Sequence, residues 1–493
     1  MNYSKENEVT KEFVLTPYQQ KAITSINEFL DTKNVELADR KKGKDSKYDH
    51  IFTLSGIAGS GKSSIIKMAL EGRDSIVGGA ISHSAKEVLE EAMGIKCFTI
   101  ASLLGLQQTI DENGDIVFKP KARVNGGFKM PIEYSGIIII DECSMIDKEI
   151  FDIINDMVKP EAKIIYMGDR SQLMPVQGNE DSVTFDYTQA TLDKAVRYSG
   201  PIADLGNRIR EEISLCDEEP DAGSKNMIND WMHEIGNDDR VSKMNEDGSG
   251  YIFLNNVNSI LTISNKFYSG DDPDALRIIA YKNDSISKIN KAVRQRLYDP
   301  NKEGTIPQFM PGELLISRGG YAEPVEQSGG QVKSISVINN GKSLTVDTVK
   351  ETVHYDVDCY EITFKGNHIK HKSPIHVVRS HAMHQYNAQF AELKEIAKED
   401  RFQWKYVYEY KDKFAWFDYG YTCSSHKSQG RTYQNAIVFE DDIFKVRKAD
   451  IKNKLQSLYV SCTRAKQIVF IFNKNYRVDQ SELPESVIKE FNL

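Results

Sequence analysis

Two rhythms of apolar positions run along the chain. In FVLTPYQQKAITSINEFL (Phe13 to Leu30) they recur at helical spacing, with Thr16 and Pro17 as cap and first-turn residues, which predicts an amphipathic helix. Short continuous runs then follow one another: HIFTL (from His50), SIVGGAIS (from Ser75), GIIIID (from Gly136) and AKIIYMGD (from Ala162). Helical stretches separate them, so the pattern predicts buried strands of a parallel sheet joined by crossover helices. In such sheets the loops after the strands gather at one edge, where ligands bind. QTIDENGDIVFKPK (from Gln108) breaks the pattern and predicts a hairpin turning at Asn113-Gly114.

Further on, residues 214 to 250 are acidic and loop-rich, as expected of an exposed connector. A second α/β block opens at ALRIIAYKNDSISKINKAVRQRLY (from Ala275) and returns with NAIVFE (from Asn435) and QIVFIF (from Gln467). Between them, from about 301 to 415, alternating strands and Gly-rich turns predict a β-rich insertion. The lysine-rich stretch from Asp31 to His50 reads as a solvated loop, with a DNA-touching basic patch as the alternative.

At 493 residues the chain exceeds one hydrophobic core, so two to four domains are expected. The longest apolar run, GIIIID, is far too short to span a membrane, and the polar N-terminus is no secretory signal. Cysteines 97, 143, 216, 359, 423 and 462 lack C-x-x-C spacing, which suits a reducing cytoplasm and argues against disulfides or a cysteine zinc site. Histidines crowd between His354 and His384, but their irregular spacing fits a solvated or DNA-facing surface better than a metal site. A net charge of −9 argues against a protein held to nucleic acid by one broad basic face. It leaves open a motor that releases its track every cycle.

Three stretches carry chemistry. SGIAGSGKSS fits the phosphate-loop pattern from Gly56 to Ser63, placed between a strand and a helix. Gly56, Ala58, Gly59, Ser60, Gly61 and Ser64 would wrap their backbone around phosphate oxygens; Lys62 would reach the β- and γ-phosphates, and Ser63 would ligate Mg²⁺. In GIIIIDECSM a strand buried on both faces delivers Asp141 and Glu142 to its end. There one carboxylate can hold Mg²⁺ and the other can deprotonate the attacking water. In YMGDRSQLMPV, Gln172 has an amide that can both donate and accept, as a γ-phosphate sensor needs. Together these loops are expected to place Lys62, Ser63, Asp141, Glu142 and Gln172 around one nucleotide.

Gln19 in LTPYQQ, the phosphate loop, DECSM, GDRSQLMPV, HKSQG (from His426) and YVSCTRAK (from Tyr459) occur in this order. In that order and form they resemble the motifs of superfamily 1 helicases, specifically the RecD-like branch (superfamily 1B) and its small phage members. QLMP and KSQG are what separate this chain from relatives of opposite polarity. The resemblance implies an α/β fold with two RecA-like parallel-sheet domains, a β-hairpin pin inserted in the first and an SH3-like β-rich module inserted in the second. The implied boundaries are 1–104 and 138–190 for domain 1, 105–137 for the pin, 191–300 and 416–493 for domain 2, and 301–415 for the module.

It also implies roles. Gln19 would read adenine, Gln429 and Gly430 would touch nucleotide, and Arg197 and Arg464 would be the two arginines that approach the γ-phosphate. Ser82, His83, Lys86, Ser102 (after Ala101, where relatives often have His), Asn283 (after Lys282, with Asn290 kept), Ser425, His426 and Lys427 would meet DNA. Phe118 on the hairpin would stack on a base at the duplex junction. The implied activity is an ATP- and Mg²⁺-dependent DNA helicase moving 5′→3′ on single-stranded DNA and unwinding duplex, in replication or recombination. The implied setting is a monomer working at single-stranded DNA and duplex junctions, with replication or single-strand-binding proteins as partners and no membrane. Its place would be the cytoplasm of a bacterium or phage-infected cell. Alternatives are a motor subunit of a recombination or nuclease complex, a phosphate-loop switch ATPase with no track, and an RNA helicase, since no residue visibly reads a 2′-OH.

Overall fold

The computed structural model describes residues 15–33, 48–110, 116–120, 130–175, 181–194, 200–218, 240–270, 272–301, 304–327, 331–366, 375–445 and 450–493. They form two compact units. The first takes the described residues within Met1–Ile81, Ala85–Arg170 and Met174–Arg197; the second takes those within Ser82–Ser84, Ser171–Leu173 and Tyr198–Leu493.

The first unit opens with helix α1 (Pro17–Asp31), started by a capping box in which Thr16 Oγ1 accepts from Gln19 N and Gln19 Oε1 accepts from Thr16 N. Its apolar face puts Ala22, Ile26 and Phe29 against the core. Strands β1 (Ile51–Gly56), β2 (Ile76–Ala80), β3 (Cys97–Thr99), β6 (Ile137–Ile140), β7 (Lys163–Gly168) and β8 (Thr188–Leu192) form one parallel sheet ordered β3-β2-β6-β7-β1-β8. Helices α2 (Lys62–Ala69), α3 (His83–Met93), α4 (Ile100–Leu103), α5 (Pro131–Tyr134) and α6 (Lys148–Met157) connect the strands. Ile138 to Ile140 are fully buried, because a central parallel strand is covered on both faces. Strands β4 (Leu106–Ile110) and β5 (Ile116–Pro120) pair antiparallel as the sequence pattern expects, with Gln108 opposite Phe118; the Asn113-Gly114 turn lies outside the described residues.

The second unit has its own mainly parallel sheet, ordered β10-β11-β22-β21-β12-β20. After α7 (Pro201–Glu218) and the two-residue strand β9 (Arg240–Val241), its members are β10 (Lys243–Met244), β11 (Gly250–Leu254), β12 (Leu276–Ala280), β20 (Thr422–Ser424), β21 (Tyr433–Phe439) and β22 (Ala465–Phe472). Helices α8 (Val257–Tyr268) and α9 (Asn283–Tyr298) precede a five-stranded antiparallel sheet ordered β18-β17-β16-β13-β19. That sheet contains β13 (Leu314–Ser317), β16 (Ser343–His354), β17 (Val357–Phe364), β18 (Ile375–Val378) and β19 (Phe417–Tyr419), with the ribbon β14 (Tyr321–Gln327) and β15 (Gln331–Ile338) between β13 and β16. The stretch expected to be β-rich to 415 is not wholly so: α10 (Met383–Glu399) and α11 (Trp404–Asp412) occupy its end. Tyr386 and Tyr410 stack there with ring centroids 5.4 Å apart, so aromatic packing holds the helix pair together.

Buried polar groups seat the antiparallel sheet on the second unit. Arg294 of α9 pairs with the fully buried Glu313, and its guanidinium lies 4.0 Å from the Tyr419 ring centroid. Asn290 bridges the backbone, donating to Tyr419 O (3.3 Å) and accepting from Thr422 N (3.0 Å). Short helices α12 (Ser425–Ser428) and α13 (Glu440–Phe444), then α14 (Ile451–Cys462) and α15 (Glu485–Phe491), complete the unit. Among the described residues no helix is long and apolar enough to cross a membrane.

Candidate active site

In the first unit β6, β7 and β1 are neighbours, so the loops leaving their C-terminal ends emerge side by side. The loop after β1 is the phosphate loop. Gly61 caps α2 with φ +86°, and a Cβ there would sit 3.1 Å from Gln19 Nε2, so glycine serves both the left-handed backbone and the close approach. Gln19 Nε2 donates to Ser60 O (3.1 Å), and Ala58 N donates to Asp169 Oδ2 (3.2 Å), so α1 and the end of β7 both brace the loop. Lys62 curls over its own loop, donating to Gly56 O (2.7 Å) and Ile57 O (3.0 Å). Ser60 is buried and its Oγ has no partner, while Ser63 and Ser64 open the first turn of α2, whose N–H groups favour an anion.

Asp141 leaves β6 with its N–H on Gly79 O (2.9 Å), and its Oδ1 accepts from Glu142 N (2.8 Å). Glu142 stands at φ +53°, a left-handed turn that places the two carboxylates in succession at the strand end. Burial, and then the neighbouring Glu142 carboxylate, hold the Asp141 carboxyl well above the usual carboxylate range, against the pull of Lys62. A half-buried acid pair beside an ammonium is a site that a divalent cation would complete. The orphaned Ser60 hydroxyl, the bare helix terminus and this acid pair together fit a magnesium–nucleotide.

Ser171–Leu173 leaves β7 and joins the second unit, where Leu173 is buried in the core with Ile202, Ile279, Val438 and Leu458. There Gln172 Oε1 accepts from Gln429 Nε2 (3.1 Å). Burial of Leu173 brings Gln172 into company with Gln429.

In the second unit, Arg464 follows α14 and is buried, donating from Nε to Val460 O (2.8 Å), from Nη1 to Arg431 O (3.2 Å) and from Nη2 to Thr463 Oγ1 (3.2 Å). Arg197 lies outside the described residues. Gly430 takes φ +70° at the end of the HKSQG loop.

The expected DNA-contacting residues divide by exposure. Ser102, Asn283 and Lys427 are exposed. Lys86 pairs with Glu90 (3.1 Å), and Ser82 and Ser84 share a hydroxyl contact (3.0 Å). His83 opens α3 half-buried, within the Ser82–Ser84 segment that belongs to the second unit. His426 meets Tyr281 edge to face, and burial depresses its pKa, favouring neutral imidazole. Ser425 is corrected: its side chain is fully buried and its Oγ accepts from Ser461 Oγ (3.0 Å), so it braces the loop from inside rather than facing a strand. Asn290, too, is spent on backbone. Phe118 has its place in the ribbon register, but its side chain lies outside the described residues.

Sequence reasoning missed Asp169 as a brace, although it quoted the stretch, and missed Asp442. The Asp442 carboxylate accepts from Tyr281 N, Lys282 N and Ser285 Oγ, fixing the start of α9. No local signal marks Asp442, whose partners lie far away in the chain.

An AAA domain family model matches residues 46–213. The ATP-dependent DNA helicase Dda of Enterobacteria phage T4 is 24% identical over 452 residues, covering 85% of this chain and 94% of the phage protein. Along most of both lengths the chain is thus similar to a DNA helicase. Protein R530 of Acanthamoeba polyphaga mimivirus is 26% identical over 483 residues, with 85% of this chain and 94% of that protein covered. Among solved structures, Bacteroides Pif1 helicase in complex with ADP-AlF3 and single-stranded DNA is 16% identical with a TM-score of 0.41, covering 98% of this chain and 97% of that one. Candida albicans Pif1 helicase is 13% identical with a TM-score of 0.41, covering 97% and 98%. The chain has one parallel sheet, one mainly parallel sheet and an antiparallel β-rich sheet, as its sequence led one to expect.

Proposed function

We propose that this protein is a superfamily 1B helicase that hydrolyses ATP to move 5′→3′ along single-stranded DNA and to part duplex ahead of it, in replication or recombination. One observation carries the reading: Asp141, Glu142 and Asp169 sit in loops adjoining the phosphate loop within one unit, and Gln19 of α1 braces that loop.

Gln19 has one amide N–H and one carbonyl lone pair unspent after bracing Thr16 and Ser60, enough to pair with an adenine edge. Lys62, held here by two carbonyls, is the group that would move to the β- and γ-phosphates. Ser63 and Asp141 would hold Mg²⁺, which supplies charge neutralisation on the phosphates. Glu142 would take the proton of the attacking water. Arg464, and Arg197 in the same role, would stabilise charge on the transferring group, an effect on the order of 10³–10⁵ in rate. Lys62 belongs to the first unit and Arg464 to the second. The exposed Ser102, Asn283 and Lys427, with His83, Lys86 and His426, are the candidates for gripping the strand. The β4–β5 ribbon would be the pin and the antiparallel sheet the SH3-like module.

The test is strand displacement with ATP and Mg²⁺ on matched duplexes carrying a 5′ or a 3′ single-stranded tail. Displacement from the 5′ tail alone is expected. Displacement from the 3′ tail alone would overturn the polarity, and none from either would overturn unwinding.

A further inference from the structure

Arg431 follows the HKSQG loop and has no role in the mechanism above, yet it touches two elements that matter. Its Nη2 donates to Gly341 O at 2.5 Å, in the turn Asn339–Ser343 that enters β16 of the antiparallel sheet. Its own carbonyl accepts from Arg464 Nη1 at 3.2 Å. One residue therefore joins that turn to the candidate finger.

The joint is shaped for this contact. Gly341 stands at φ +78°, and a Cβ there would come within 2.6 Å of Arg431 Nη2, so a side chain at 341 would push the guanidinium away. The same turn receives a second arginine, the fully buried Arg277 of β12, which donates from Nη2 to Ser343 Oγ (3.3 Å). A third tie runs beside it, with Lys427 Nζ lying 3.8 Å from Asp418 Oδ2 of β19. The loop from Ser425 to Arg431 is thus fastened to the antiparallel sheet at two of its residues.

Arg464 has five N–H groups, of which three meet Val460 O, Arg431 O and Thr463 Oγ1. Those acceptors fix the plane of the guanidinium and leave one N–H on each Nη for a ligand. Of the three, only the Arg431 carbonyl belongs to another element; the others lie within four residues of Arg464 itself.

We propose that Arg431 is a positioning residue that sets Arg464 and ties that setting to the Asn339–Ser343 turn, so that single-stranded DNA engaged by the second unit acts on hydrolysis through it. The inference rests on the helicase reading and adds to it the route by which the track would stimulate turnover. A net hydrogen bond governs about two- to tenfold in rate or equilibrium, so the effect is a modulation rather than an on–off switch.

The experiment compares steady-state ATP hydrolysis with and without oligo-dT for the full-length wild type, Arg431→Ala, Arg431→Lys and Gly341→Ala, each checked by thermal melting. For Arg431→Ala and Gly341→Ala, DNA-stimulated kcat should fall about two- to tenfold more than DNA-free kcat, with KM for ATP unchanged. Arg431→Lys keeps one donor toward Gly341 O and should recover part of the loss. A damaged fold would lower both rates equally and leave their ratio untouched; that result, or an unchanged ratio in Arg431→Ala, would overturn the proposal. A wild type whose hydrolysis ignores oligo-dT would overturn the helicase reading instead.

Discussion

The Asp169 carboxylate, at the end of β7, accepts the backbone N–H of Ala58 at 3.2 Å, so one strand end holds the loop carried by its neighbour. The phosphate loop does not keep its shape alone. It leans on Asp169 from one side and Gln19 from the other.

Removing that brace should loosen nucleotide binding without unfolding the sheet. Hydrogen bonds to charged groups contribute about 1.5–3 kcal/mol, so Asp169→Ala should weaken nucleotide affinity by roughly tenfold to a hundredfold. Asp169→Asn keeps an acceptor and should lose far less. Titration of each variant with a fluorescent ATP analogue separates the two, and equal loss in both would mean the charge matters and not the bond.

Glu142→Gln should bind ATP as the wild type does and turn it over on the order of 10²–10⁴ times more slowly, the range spanned by general-base catalysis. Glutamine keeps the size of the side chain and tolerates the φ of +53° as glutamate does. Steady-state hydrolysis close to wild type would remove Glu142 from the role of base.

Glu313→Ala leaves Arg294 buried without its counter-charge. Breaking such a pair costs about 3–5 kcal/mol, so the urea midpoint followed by tryptophan fluorescence should drop clearly. Replacing both partners with apolar residues of similar volume should recover much of the loss. A drop in the double variant as large as in Glu313→Ala would show that the pair itself, rather than the orphaned charge, supports the fold.

His354 stacks on His376 with ring centroids 3.8 Å apart, and Phe414, Tyr355 and Lys413 surround it. Burial, the His376 ring and Lys413 lower its pKa from 6.5 to about 4. Between those values the unfolded chain binds a proton that the folded chain refuses, so stability should rise with pH across this window. The contribution is complete above pH 6.5 and lost as pH falls toward 4. Thermal melting at pH 7 and pH 5 should show a smaller difference for His354→Gln than for the wild type; an identical difference would assign the acid sensitivity to other groups.

What the sequence disclosed was whatever a short stretch can express. Gly61 and Lys62 sit in a loop whose chemistry is local, and the Ile137–Ile140 run can hardly be anything but a covered strand. Thr16 and Pro17 announced α1 for the same reason. Partnerships across the chain were not legible: nothing around Gln172 says that Leu173 is buried beside Ile279, and nothing around Ser425 says that Ser461 lies behind it. The helices α10 and α11 were hidden by their setting, since a long alternating stretch precedes them and their aromatic residues suit strands as well.

Gln19 holds the shape of the phosphate loop with the same amide that would read the base. On the proposed reading, selectivity for one nucleobase and tightness of triphosphate capture would not be independent traits in this protein. A lineage drifting toward guanine or a pyrimidine would then have to rebuild the loop's support before it could change the letter it recognises, which would make adenine the evolutionarily sticky choice.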